Sequence, residues 1–169
     1  MAIIVRRLVP SGAAAFQALR LAALTECPSA FSSSYEEECG TPLATIEARF
    51  APDSGRHMFG AFDGAVLVGM VGVGRETAPK LRHKAFIRAM YVAPSHRGKG
   101  VGRQLLEQAL ACASSMQGLR QINLDVTAGK APALALYESL GFAVFGREPS
   151  AMLVDGVLHD KLYLARLLD

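Results

Sequence analysis

Apolar and polar positions change period several times along this chain, and each change predicts a new element. An apolar-rich stretch at residues 3–8 predicts a strand, broken by Pro10-Ser11-Gly12. Residues 13–24 place Phe16, Leu19 and Ala23 on one helical face. Residues 28–40 are polar and irregular at first. Ser34, with Glu37 three positions later, matches a capping box, so a second helix is expected to begin there or at Thr41-Pro42. Residues 57–74 predict a hairpin turning at Asp63-Gly64, and Gly69, Gly72 and Gly74 in its second arm suggest a bulge or a close backbone contact. A strand follows at 84–92, ended by Pro94. An amphipathic helix spans 101–116, with Val101, Leu105, Ala109, Leu110, Ala113 and Met116 near one face. The remainder predicts a strand at 121–126, a helix at 132–140 closed by Gly141, a strand at 142–145, a turn at Asp155-Gly156 and a last strand at 158–167. The order β-α-α-β-β-β-α-β-α-β-β predicts an α/β fold. Its mixed, mostly antiparallel sheet has about seven strands and is flanked by about four helices.

Composition narrows the class. The 169 residues fit one domain over 1–169, and 51% of them are apolar, enough for a sizeable core. No apolar run reaches the roughly 18 residues of a membrane span. The N-terminal apolar stretch precedes its arginines, the reverse of a secretory signal. A cytoplasmic protein with no membrane partner is therefore expected. A net charge of +3 gives no reason to expect nucleic acid, but leaves room for a local basic patch facing an anion. Cys27, Cys39 and Cys112 form no CxxC pair and are expected as reduced thiols. His57, His83, His96 and His159 are scattered, so no metal site is expected.

The chemistry concentrates at residues 90–103, MYVAPSHRGKGVGR. There a strand runs into a glycine-rich loop that opens directly onto a helix. A helix N-terminus presents unpaired N–H groups and a partial positive charge, glycines let a phosphate approach, and Arg97, Lys99 and Arg103 add cations. The pattern implies a polyanionic phosphate ligand. A P-loop is absent. A dinucleotide fingerprint would use Gly98, Gly100 and the acid Asp125, but Arg103 stands where its third glycine belongs. The residues alone leave that reading open, and also a plain glycine-rich turn with solvated charges.

Arg97-Gly98-Lys99-Gly100-Val101-Gly102 resembles the [QR]xxGx[GA] motif of the GNAT acetyltransferases at every defined position. Ala133-Leu134-Ala135-Leu136-Tyr137-Glu138-Ser139-Leu140-Gly141-Phe142 resembles the family's AxxLYxxxGF signature. Arg20-Leu21 and Pro28-Ser29-Ala30-Phe31 are similar to the front half of many bacterial members. The resemblance implies a single GNAT-like domain and acetyl-CoA as co-substrate. The amides of Arg97, Gly98, Lys99, Gly100, Val101 and Gly102 would hold its diphosphate, with Arg103 beside them. Met90, Tyr91 and Val92 would lie on a strand splayed from its neighbour, with Met90 N–H the donor to the thioester oxygen, and Ala133 would line the cofactor arm. Tyr137 would sit near the sulfur and protonate the leaving thiolate. Family members often carry Asn seven positions before that tyrosine. This chain has Lys130, which would instead reach a CoA phosphate.

No general base is evident. The strand KAFIRAM at 84–90 has no carboxylate, which leaves water, His83, a member of the run Glu36-Glu37-Glu38, or an amine already deprotonated in solution. The glutamate run is read as an attractor for a cationic amine or as a solvated helix start, and Lys80, Arg82, His83 and Lys84 as a solvated loop. Two functions follow: direct transfer of acetyl to a primary amine, or a non-catalytic acyl-CoA-binding regulatory module. The apolar final strands and the resemblance together suggest a homodimer.

Overall fold

The computed structural model describes residues 2–169, so Met1 of the expected 1–169 domain lies outside the described residues. Seven strands form one sheet: β1 (Ile3–Arg7), β2 (Arg56–Asp63), β3 (Val66–Arg75), β4 (Lys84–Val92), β5 (Gln121–Thr127), β6 (Ala143–Val154) and β7 (Val157–Leu167). Their order across the sheet is β1-β2-β3-β4-β5-β7-β6. Every neighbouring pair is antiparallel except β4 and β5. The α-helices are α1 (Ala13–Glu26), α2 (Tyr35–Glu38), α3 (Leu43–Arg49), α4 (Val101–Ser114) and α5 (Ala131–Ser139). Among the described residues, no helix is long and apolar enough to cross a membrane.

The expected second helix is two helices, because both candidate start signals operate. Ser34 accepts from the Glu37 N–H while the Glu37 carboxylate accepts from the Ser34 N–H, a complete capping box that opens α2. Pro42 then caps α3. The structure also corrects the strand expected at 142–145. Phe142 precedes it as a core residue, its ring edge-on to Tyr137 at 6.2 Å, and β6 runs on to Val154 through two register shifts.

The sheet is buried on both faces. On one, α4 buries Val101, Leu105, Leu106, Ala109, Leu110 and Ala113 against Val71, Val73, Ile87 and Ile122. On the other, Phe16 and Ala23 of α1 and Ile46 of α3 cover Leu67, Met70 and Tyr91. The glycines of β3 serve the close contacts expected of them. A side chain at Gly69 would meet Leu105 at 2.9 Å, and one at Gly74 would meet the Phe86 ring at 2.7 Å.

The β4–β5 pair positions the site. These strands are in register only at Lys84–Gln121, Ala85–Ile122 and Phe86–Asn123. Beyond Asn123, β5 stays paired with β7 as far as Thr127, while β4 stays with β3 as far as Val92. The two strands therefore diverge, leaving the inner edges of residues 87–92 and 124–127 without a strand partner. A bulge accompanies the split. The register shifts between Met70 and Gly72, and Ala89 opposite takes φ +56°, a left-handed conformation uncommon for alanine.

Candidate active site

The divergence opens a cleft of about 1710 Å³ that passes through the sheet. One lobe is walled by the loop at Gly98–Gly100, the start of α4, and Lys130, Ala133 and Tyr137 of the α5 region. The other lies beneath α1 and the segment after it, with Phe31, Phe50, Met58, Arg88 and Tyr163 on its walls.

The first lobe has the form of an anion cradle. Gly98 and Gly100 adopt φ +72° and +79°, and nothing lies within 4 Å of a side chain added at either. Gly100 is the N-cap of α4, its carbonyl accepting from Gln104 N–H at 3.1 Å, so the next amides open into the loop without helical partners. Gly102 is half-buried for a different reason: a Cβ there would sit 3.2 Å from Met90 Cε and 3.3 Å from Leu136 Cδ2.

The side chains of this motif divide their tasks differently from the expectation. Arg97 is not a free phosphate cation. Its guanidinium grips Glu26 at the end of α1 through two bonds of 3.1 and 2.7 Å, and its Nε donates to the Val92 carbonyl at 2.9 Å. Lys99 turns back to the Ser95 carbonyl at 2.9 Å. Arg103 donates to Ser139 Oγ at 2.7 Å and stays exposed. Val101 and Tyr91 bury their side chains in the two cores, leaving only their main-chain atoms available. Lys130, half-buried on the cleft wall, makes no ion pair among the described residues.

Sequence reasoning missed Glu26, which pins the loop to α1 from 71 positions away. Arg97 holds the Glu26 carboxyl down at about 2, against an ordinary 4.5. A carboxylate with a depressed folded pKa contributes stability fully above its unfolded value, lost as pH falls through the folded one. Wild type should therefore lose thermal stability between pH 4.5 and 2 more steeply than Glu26→Gln. Parallel slopes in a melting series over that window would remove the pin as a source of acid lability.

Tyr137 is 7% exposed on α5, and burial pushes its phenol up to about 12, so it stays protonated throughout the neutral range. Among the described residues no group hydrogen-bonds its hydroxyl, which nevertheless borders the cleft. Met90 is half-buried on the diverging edge immediately after the bulge.

None of the expected bases stands free in the cleft. Glu38 is held by Arg20 through bonds of 2.9 and 3.0 Å, which lowers its pKa. Glu37 is consumed by the capping box. The His83 carbonyl anchors Arg120 and Gln121 at the closed end of the strand pair, away from the opening. Two of the three glutamates are thus engaged within the protein, and Glu36 is exposed and does not line the cleft. Asp125, which the sequence offered only for a dinucleotide, lines the cleft and bridges to Lys161 at 3.2 Å.

Residues 20–142 match the model of the acetyltransferase (GNAT) family. The N-alpha-acetyltransferase RimI of Mycobacterium tuberculosis is 35% identical over 91 residues, 53% of this chain and 54% of that protein. The chain spans about half the length of the curated relatives it matches. A GNAT-family acetyltransferase from Streptococcus pneumoniae has the same fold, with a TM-score of 0.90 at 20% identity over 99% of this chain and 100% of that one. A structure from Salmonella typhimurium, solved with its cofactor acetyl-CoA, superposes with a TM-score of 0.82 at 23% identity over 100% of this chain and 95% of that one.

Proposed function

Because the chain belongs to the GNAT acetyltransferase family, we propose that residues 1–169 form one N-acetyltransferase domain that moves acetyl from acetyl-CoA directly to a primary amine. The observation that carries this reading is the diverging strand pair that ends on an open anion cradle.

The residues present fit acetyl-CoA. Gly98 and Gly100 leave open space over the amides that begin α4, where a diphosphate is stabilised by N–H donors and the helix dipole. Arg103 and Lys130 are the side-chain cations within reach of that lobe. Bound acetyl-CoA supplies an acetyl group already activated as a thioester. The free inner edge of β4 offers main-chain groups to an extended arm, and Met90 N–H is the donor for negative charge developing on the carbonyl oxygen. Tyr137 supplies an O–H at the cleft wall to the departing sulfur. Glu38 and Asp125 are held in ion pairs, which leaves water, or Glu76 on the cleft wall, to take the proton shed by the attacking amine.

Acetyl-CoA at about 100 times its dissociation constant should stabilise the fold by about 2.7 kcal/mol. A thermal-shift titration, paired with thiol release on a panel of amines, tests both halves of the reading. A shift without release from any amine would favour the regulatory module. A shift with NAD alone would restore the dinucleotide reading.

The reading includes a homodimer. β6 is an edge of the sheet, and the β6–β7 ribbon exposes Phe145, Leu153, Val157 and Leu158 at 55–69%. Light scattering should give twice the chain mass, and Leu153→Lys should reduce it. A monomer at working concentration would remove this part of the proposal.

A further inference from the structure

The second lobe of the cleft carries a charge pattern that the acetyl donor does not explain. On the face covered by α1 and α3, Gly72 and Gly74 of β3 lie beneath side chains of β2 and β4. The register places Arg56 of β2 beside Gly74, and Arg88 of β4 beside Gly72. A Cβ at Gly72 would stand 3.1 Å from Met58 Cε and 3.4 Å from Arg88 Cγ, and one at Gly74 would strike the Phe86 ring. This stretch of the cleft is therefore floored by Met58 and the Phe86 ring and edged by two arginines.

Arg88 is held rather than loose. Its guanidinium carbon lies 3.9 Å from the centre of the Phe86 ring, which supports one face of the planar group and leaves its N–H edge free. Four other arginines of the cleft spend donors on the protein, Arg20 on Glu38, Arg75 on the Arg82 carbonyl, Arg97 on Glu26 and Arg103 on Ser139, while Arg49, which also lines it, makes no side-chain hydrogen bond or ion pair among the described residues. Among the described residues, Arg56 and Arg88 make no side-chain hydrogen bond and no ion pair. Loss of water lowers the Arg88 pKa, and the Arg56 charge lowers it further. Glu76 and Asp125 act in the opposite direction, and Asp125 is already bridged to Lys161. Both residues are exposed at the cleft, and without protein acceptors their guanidinium donors are open to an anion. Phe31, Phe50 and Met58 supply apolar wall to the same cleft, which Ser32, Ser33, His57 and Glu76 also line.

We infer that the acceptor is an amine that also carries a carboxylate, a free amino acid with an apolar side chain, whose carboxylate is seated by Arg88 with Arg56 behind it. Arg88 is a specificity-determining residue of the acceptor site. The inference rests on the acetyltransferase reading and deepens it by naming the substrate class. It disfavours polyamines, which would bring positive charge against the two arginines.

The test compares leucine, methionine and phenylalanine with their carboxamides and with spermidine, following thiol release from acetyl-CoA. At least one free acid should react with a KM about 10–100-fold below that of its amide, the scale of a lost charge-assisted hydrogen bond. Arg88→Gln should raise KM for the acid by a similar factor, leave the amide nearly unchanged and spare kcat. Arg88→Lys should recover part of the loss. Calorimetry of the preferred acid in the presence of CoA should show the same dependence on Arg88 without turnover. Equal use of acid and amide, an equal effect of Arg88→Gln on both, or a preference for spermidine would overturn the inference while leaving the acetyltransferase reading intact. Acetyl-CoA binding with no turnover of any free acid would also overturn it. Failure of acetyl-CoA to bind at all would remove the acetyltransferase reading itself.

Discussion

Gly100→Asp should raise the dissociation constant for CoA by about 10²–10³-fold while leaving the fold largely intact. The position is unusual in separating these effects. Its φ of +79° is tolerated by Asp and Asn better than by other residues, and nothing within 4 Å would clash with the new Cβ. As N-cap of α4, an aspartate also stands before the orphan amides and complements the dipole, which offsets part of the left-handed strain. Those are the amides proposed to hold the diphosphate. The substitution blocks them and places a negative charge within a few ångströms of the phosphates, a repulsion of about 4 kcal/mol per charge pair at 4 Å in a near-surface dielectric. Gly100→Asn is the control, because it repeats the shape without the charge. Calorimetry should rank wild type, Asn and Asp in falling affinity, with melting temperatures nearly equal. Equal affinities for wild type and Asp would place the diphosphate elsewhere.

How far the site was readable depends on the range of each interaction. The loop at 97–102 was legible because its function is local: glycines, an N-cap and a helix start lie within six positions. The divergence of β4 from β5 was expected only through the resemblance, since no pattern in KAFIRAMYV states where its pairing ends. The bulge that accompanies it uses Ala89, a residue with no sequence mark of left-handed backbone. The pairing of Arg97 was not legible because its partner, Glu26, is remote in sequence and looks like any other charge at the end of a helix. The same limit hid the role of Arg88. On a strand its polarity reads as one solvent-facing position, and only the register against Gly72 and the stacking on Phe86 show it edging the cleft. The true extent of β6 was lost for a different reason. Two register shifts and a left-handed Ser150 break the period-two pattern by which strands are recognised.

Tyr137→Phe should lower the single-turnover rate by about 10²-fold, toward the lower end of the 10²–10⁴ that a positioned acid contributes. The direction follows from geometry. Among the described residues the phenol is without a protein partner at the cleft wall, and its ring is fixed by burial and by Phe142. The magnitude follows from acidity. A phenol pushed up to about 12 is a far weaker acid than a thiol near 8.5, so complete proton transfer to the thiolate is uphill. What Tyr137 contributes is a hydrogen bond to sulfur as charge develops there, worth about 3 kcal/mol of barrier for a 10² effect. Water can follow with the proton. Removing the hydroxyl leaves the ring in place, so acetyl-CoA affinity should hold within a few-fold and the melting temperature should change little. The raised pKa adds a second signature. Because the phenol stays protonated across the neutral range, the ratio of wild-type to variant rates should be flat from pH 6 to 9. A ratio that collapses within that range would mean that the phenol ionises there and is not the donor. Rates that agree within twofold at every pH would reduce Tyr137 to a packing residue.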